Sequence, residues 1–165
     1  MIELKKLSRA DLEYRVSLLN SNEIAPYINV SEKFTLPKTQ KWFSNIEDDS
    51  TRFDFVFMNK GERVGMGGLT GVSIIDKNCE LYMYVDVSFQ GKGLGYLSGK
   101  KLCEFAFNVL KLEKVFLYTF SENYRANKLY EKIGFKLEGV LRKQTFKDKR
   151  LQDRNIYGLL KNEFK

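Results

Sequence analysis

No histidine occurs anywhere in this chain, and its 165 residues include only two cysteines, Cys79 and Cys103. The first absence removes the commonest metal ligand and general base. Two thiols are too few for a disulfide framework or a cysteine-based zinc site, so no metal is expected. No window approaches the ~18 apolar residues of a membrane span. The first ten residues, MIELKKLSRA, mix apolar and charged positions instead of forming the apolar core of a secretory signal. A cytoplasmic protein without a membrane partner is expected.

What is present is ordinary for a globular protein: 43% hydrophobic and 30% charged residues, in a length that suits one domain over residues 1–165. The formal charge of +7 favours an anionic partner. Composition alone leaves nucleic acid, an acidic membrane and a phosphorylated small molecule open.

Along the chain, Ile2 to Leu7 alternates as a strand, and Ser8 followed by Asp11 marks a helix start with Leu12, Val16 and Leu19 on one face. Asn20 to Leu36 reads as irregular, and Pro37 suits the first turn of a second helix carrying Trp42, Phe43 and Ile46. Arg52 to Met58, the turn Asn59-Lys60-Gly61-Glu62 and the run from Arg63 form a hairpin; Glu80 to Val87 supplies a third antiparallel strand. Alternation follows: a helix near Leu94 to Leu110, a strand Val115 to Phe120, a helix Tyr124 to Ile133 capped by Gly134, then strands Phe135 to Leu141 and Asn155 to Leu160. The pattern predicts one α/β domain, a mixed central sheet of about seven strands flanked by about four helices.

The stretch VDVSFQGKGLGYLSGKK, residues 85–101, sets glycines and lysines between a strand and a helix. In Gln90-Gly91-Lys92-Gly93-Leu94-Gly95 the glycines permit close backbone approach, and the helix behind them offers unpaired N–H groups and a positive dipole end. Such a turn cradles an anion, phosphate above all. It lacks the Walker pattern, since Leu94 stands where the first glycine belongs and Lys101 where the hydroxyl belongs. A dinucleotide fingerprint fails too, because Gly91, Gly93 and Gly95 are spaced by two. A tight turn holding no ligand is the competing reading of the glycines alone.

Gln90-x-x-Gly93-x-Gly95, followed by Asn123-x-x-Ala126-x-x-Leu129-Tyr130-x-x-x-Gly134-Phe135, resembles the GNAT superfamily of acetyl-CoA-dependent N-acetyltransferases. The strand Cys79 to Asp86 and the segment Glu138 to Arg142 with Asp153 resemble its branch of ribosomal-protein N-terminal, polyamine and nucleotide-amino-sugar acetyltransferases. The resemblance implies acetyl-CoA as co-substrate, a primary amine (an amino acid, a peptide N-terminus or another small amine) as acceptor, and direct transfer between them. It implies that the backbone of Gln90, Gly91, Lys92, Gly93, Leu94 and Gly95 holds the coenzyme pyrophosphate. Val85 and Val87 then pair with the pantetheine arm, and Asn123 contacts the coenzyme. Tyr130 is implied as the acid that protonates the leaving thiolate, and Glu80 as the base that receives the amine's proton.

Each assignment has a plainer counterpart. Tyr130 belongs to an apolar stripe with Ala126, Leu129 and Ile133, where a tyrosine serves the core. Glu80 reads equally as a solvated carboxylate at a strand end. Cys103, inside an amphipathic helix, reads as a packing thiol. Lys92, Arg125 and Lys128 are candidates for coenzyme phosphates. Gly99 within the helix costs about 1 kcal/mol relative to alanine and implies close packing or ligand approach. The run Arg142, Lys143, Lys147, Lys149 and Arg150 is the best case for nucleic acid, yet it reads as exposed hairpin surface, so nucleic acid is not an expected partner. The alternative classes are a polyamine or nucleotide-amino-sugar acetyltransferase, and a non-catalytic coenzyme-binding or nucleic-acid-binding module. As an assembly, a monomer or homodimer is expected.

Overall fold

Asn59-Lys60-Gly61-Glu62 turns the chain as its residue types demand, with positive φ at both central residues, 51° at Lys60 and 82° at Gly61. Positive φ at both central positions matches the twist of a two-residue hairpin. The same solution recurs late in the chain at Asp148 and Lys149, with φ of 52° and 62°. In the computed structural model, which describes residues 1–165, these hairpins frame a sheet in the order β1-β2-β3-β4-β5-β7-β6. Its strands are β1 (Ile2–Lys6), β2 (Phe53–Asn59), β3 (Glu62–Ser73), β4 (Asn78–Val85), β5 (Lys114–Phe120), β6 (Lys136–Lys147) and β7 (Arg150–Leu160). Four α-helices complete it: α1 (Leu12–Leu19), α2 (Leu36–Ile46), α3 (Leu94–Glu104) and α4 (Tyr124–Ile133).

Local signals explain the helix ends. The Asp11 carboxylate accepts from the Ser8 amide and hydroxyl at 3.1 and 2.7 Å and is fully buried, held also by Lys5 and Arg63 at 3.2 and 3.1 Å. Thr35 caps α2 by accepting from the Lys38 amide, and Gly134 ends α4 with a φ of 119°. The expected long helix to Leu110 divides: α3 stops at Glu104 and Phe105–Val109 winds as a π turn. That turn keeps Ala106 and Phe107 in the core while swinging Val109 into solvent.

Two buried clusters lie on the two faces of the sheet. Leu81, Leu102, Cys103, Phe107, Leu117, Tyr130 and Leu159 fill the α3–α4 side; Leu12, Leu19, Phe43, Val56 and Met66 fill the α1–α2 side. A Cβ on Gly99 would stand 2.5 Å from Ile133 Cδ1 and 3.4 Å from Met83 Sδ. Close packing of α3 on α4 and β4 is therefore what Gly99 provides.

The sheet is mixed at one seam. β4 and β5 run parallel and pair only at Asn78–Lys114, Cys79–Val115 and Glu80–Phe116; beyond Glu80 they separate. On its other edge β4 stays paired with β3 as far as Val85–Gly65. Half of β4 therefore presents an unpaired edge inside the molecule, which needs a partner for its N–H and C=O groups.

The late basic run departs from the sequence expectation. It sits on the long β6–β7 hairpin, whose outer ends fall where expected but whose strands run on toward the turn, past Leu141 to Lys147 and from Arg150 instead of Asn155. Arg142, Lys143, Lys149 and Arg150 are exposed as expected, but Lys147 is only 5% accessible.

Candidate active site

A cavity of about 1170 Å³ occupies the gap between β4 and β5 and reaches both faces of the sheet. Both alternating sets of β4 side chains line it: Leu81, Met83 and Val85 on the α3–α4 side, Glu80, Tyr82 and Tyr84 on the other. The opposite wall carries Tyr118, Thr119 and Phe120 from β5 and Arg154 from β7.

At one end stands the glycine-rich turn. Gln90, Gly91, Gly93 and Gly95 line the cavity. Gly91 and Gly93 hold φ of 77° and 75°, and a Cβ built on either would meet nothing within 4 Å. The first helical bond of α3 runs from the Leu97 amide to the Gly93 carbonyl, so the amides ahead of it lie at the positive end of the helix. A turn of this shape, open on its concave side, fits a pyrophosphate group. Arg125, Lys128 and Lys132 on α4 line the same region.

One expected side chain is placed differently, and Leu94 keeps only the backbone role expected of it. The Lys92 side chain folds back to donate to the Ser88 carbonyl at 3.0 Å and lies over Phe89, outside the cavity lining. Leu94 is 9% exposed and packs into the core, so only its backbone is available to a ligand. Val87 also departs from expectation, since β4 ends at Val85 and Val87 belongs to a short 3-10 turn, though it still lines the cavity. The Val85 carbonyl accepts from Gln90 Nε2 at 2.9 Å, and Gln90 Oε1 accepts from Arg125 at 2.5 Å. Gln90 thus links β4 to α4 across the mouth. Asn123 caps α4, its Oδ1 accepting from the Ala126 amide at 3.2 Å, and its side chain borders the cavity.

Midway, Tyr130 and Glu80 share the cavity. Tyr130 is 6% exposed, its ring edge-on to Phe135 at 5.7 Å, and no group of the chain hydrogen-bonds its hydroxyl. Burial, followed by the neighbouring Tyr84 and Cys103, pushes the phenol above its ordinary range, so it keeps its proton at neutral pH. Tyr82 is otherwise engaged, its hydroxyl donating to Asp54, which also accepts two bonds from Arg52 at 2.9 Å. Glu80 occupies the last paired position before the strands part. Burial raises its carboxyl, with the Arg154 cation partly opposing.

Acceptor choice is expected in residues 20 to 50 and the terminal hairpin; Arg154 and the individual lining residues of the loop 22–29 are what sequence reasoning did not single out. The Arg154 Nε donates to the Thr119 carbonyl at 3.3 Å, and its guanidinium lies 4.6 Å from the centre of the Phe120 ring. Alternation along β7 sets Arg154 on one face with Gln152 and Ile156, a mixture that gives no sign of enclosure. Enclosure comes from β5 and β6, which flank the strand on either side.

The comparisons with known proteins agree with this geometry. Residues 2–136 match the family model described as an acetyltransferase (GNAT) domain. The chain is 30% identical over 146 residues to spermidine N(1)-acetyltransferase of Escherichia coli K12, covering 88% of this chain and 78% of that protein. It is 24% identical over 138 residues to acetyltransferase PseH of Campylobacter jejuni, covering 82% and 85% respectively. Among solved structures, spermidine N-acetyltransferase from Vibrio cholerae in complex with CoA and spermine superposes with a TM-score of 0.93 at 25% identity, over 98% of this chain and 96% of that one. A sheet parted at one seam, a glycine turn at its mouth and a family match over most of the length converge: the chain belongs to the GNAT acetyltransferase family and is an acetyl-CoA-dependent N-acetyltransferase.

Proposed function

We propose that this enzyme acetylates a primary amine of an aliphatic polyamine in the cytoplasm, with acetyl-CoA entering from the glycine turn and the amine from the side of residues 22–29. The observation that carries the reading is the parting of β4 and β5 just beyond Glu80, which opens one continuous cavity to both faces of the sheet. The polyamine class is supported by the spermidine acetyltransferases among the relatives. Charge within the cavity agrees. Arg125, Lys128 and Lys132 lie toward the phosphate end, whereas Glu80 stands midway, and Glu23 and the ring of Tyr27 belong to the loop on the acceptor side, with Arg154 the one cation beside them. Carboxylates and aromatic faces suit an alkylammonium chain.

In this reading the free edge of β4 pairs with the amide groups of the pantetheine arm, and one of its N–H groups polarises the thioester carbonyl. A deprotonated amine attacks that carbonyl; as the C–S bond breaks the thiolate takes the Tyr130 proton, and the proton shed by the new amide nitrogen returns to the Tyr130 oxygen directly or through water. The phenol is suited to this because it remains protonated while a thiol of reference pKa near 8.5 departs. An alkylammonium has a reference pKa near 10.4, so its proton must first leave, and Glu80 receives it directly or through water.

Arg154 favours a second reading, an amine that also carries a carboxylate or phosphate, because a cation in the acceptor half suits an anionic group. Thiol release from acetyl-CoA, measured with spermidine, spermine, amino acids and a nucleotide amino sugar, separates the two. Turnover with the polyamines alone is expected. Turnover confined to an anionic amine, and lost in Arg154→Ala, would replace the polyamine by that class.

A further inference from the structure

The run of basic residues on the β6–β7 hairpin contains one that does not behave as surface. Lys147 is the last residue of β6, and its ammonium is withdrawn from solvent and joins none of the chain's salt bridges. It donates instead to three backbone carbonyls of one loop: Ala25 at 2.7 Å, Ile28, and Val30 at 3.5 Å. An ammonium has three N–H donors, and here three carbonyls converge on them. Burial shifts this amine toward its neutral form, with the neighbouring Asp148 partly opposing, so the carbonyl dipoles have to offset the lost hydration. The Phe120 ring lies 6.0 Å from Nζ, the same ring that Arg154 covers.

The loop thus held is a wall of the cavity. Pro26, Tyr27, Ile28 and Asn29 line it, as do Gln144 and Thr145 just before Lys147 on β6. Apart from the short 3-10 turn Ala25–Tyr27, the segment between α1 and α2 has no regular structure of its own. Its carbonyls need partners, and Lys147 satisfies three of them from 117 to 122 residues away in sequence. The other tie of the hairpin tip, Arg150 to Glu122 at 2.5 Å, leaves both side chains 56% exposed and screened by solvent. Lys147 itself does not line the cavity.

We infer that Lys147 is a positioning residue for the acceptor: a buried cross-brace that holds the loop of residues 25–30 against the β6–β7 hairpin and so shapes the wall the amine meets. The inference rests on the proposed placement of the acceptor at this end. Lys147→Met keeps the length and removes the charge and the donors.

Two measurements on the full chain test it. Chymotrypsin cleavage after Tyr27, which is 48% exposed, reports how often the loop opens. In Lys147→Met it is expected to quicken about tenfold, as cleavage tracks the open population. Steady-state kinetics with spermidine should show KM for the amine raised about tenfold while the calorimetric Kd for acetyl-CoA stays within about twofold. Unchanged cleavage would overturn the brace. Faster cleavage with both constants unmoved, or with acetyl-CoA affinity falling instead, would uphold the brace and overturn its role toward the acceptor, together with the placement of the two ends. Should Lys147→Met fail to fold, Lys147→Arg takes its place. It keeps the charge, but a planar fork cannot aim at three carbonyls around one point, and the same changes are expected in smaller measure.

Discussion

Tyr130 joins two demands on one side chain: its ring is core, packed edge-on against Phe135, while its hydroxyl borders the cavity with no partner in the chain. Removing the oxygen alone separates them. Tyr130→Phe is expected to keep the fold and the acetyl-CoA affinity and to lower kcat about a hundredfold, the usual scale of a lost general acid. Full turnover in a stopped-flow or thiol-release assay would remove Tyr130 from proton transfer. Glu80 makes the complementary case. Its carboxyl is raised by burial, so the fold favours the neutral acid, and stability is lost as pH rises through the folded-state pKa. Glu80→Gln removes that cost. Its thermal midpoint at about pH 7 should equal or exceed the parent's, the difference closing toward about pH 4. Turnover should fall, with the deficit narrowing above the pKa of the acceptor, where a free amine needs no base. A variant that is both less stable and pH-insensitive in rate would make Glu80 structural.

At the scale of elements, the glycine turn shows what local chemistry determines and what it does not. Gly93 holds a φ of 75° and faces open space, so a side chain there meets strain in the backbone rather than a clash. Gly93→Val, with a β-branched residue forced toward the left-handed region, costs about 1–3 kcal/mol if that conformation is kept. The turn is expected to relax instead, raising the acetyl-CoA Kd by more than tenfold, or about 1.4 kcal/mol, with the helices intact by circular dichroism. The order of strands and helices, the hairpin at Lys60 and Gly61 and the cap at Gly134 were all legible in the sequence, because each rests on neighbours within a few residues. The end of β4 at Val85, the withdrawal of Lys92 from the cavity and the burial of Lys147 were not. Each depends on what lies across the fold or beside the turn: Ser88 and Phe89 draw Lys92 back, and a loop more than a hundred residues distant encloses Lys147. The parting of β4 from β5 is non-local in the same way. Leu81 to Val85, beyond the last paired position at Glu80, are residues that any paired strand could carry, and only the paths of the two strands show where pairing stops.

For the whole molecule, the charge of +7 is spread unevenly, and its distribution decides more than its sum. The cavity region that borders the glycine turn has Arg125, Lys128 and Lys132, while Glu80 stands midway with Arg154 as its opposing charge and Glu23 belongs to the loop of residues 22–29. An anionic donor therefore meets a local field that suits it, and a cationic acceptor meets Glu80 and Glu23 with Arg154 opposing, but at long range the net charge attracts the first and repels the second. Salt screens the long-range part most, since the Debye length shrinks from about 14 Å at 50 mM to about 4 Å at 500 mM. Acetyl-CoA affinity should then fall about tenfold across that range, as phosphate contacts with lysine and arginine give up their advantage. Spermidine KM should stay level or improve, because screening removes the repulsion between the polycation and the basic surface while the buried Glu80 is screened least. Calorimetry for the donor and initial rates for the amine, taken at the same salt concentrations, measure the two responses independently. A parallel loss of both would mean that the acceptor is held as an anion, in keeping with Arg154 and against the polyamine.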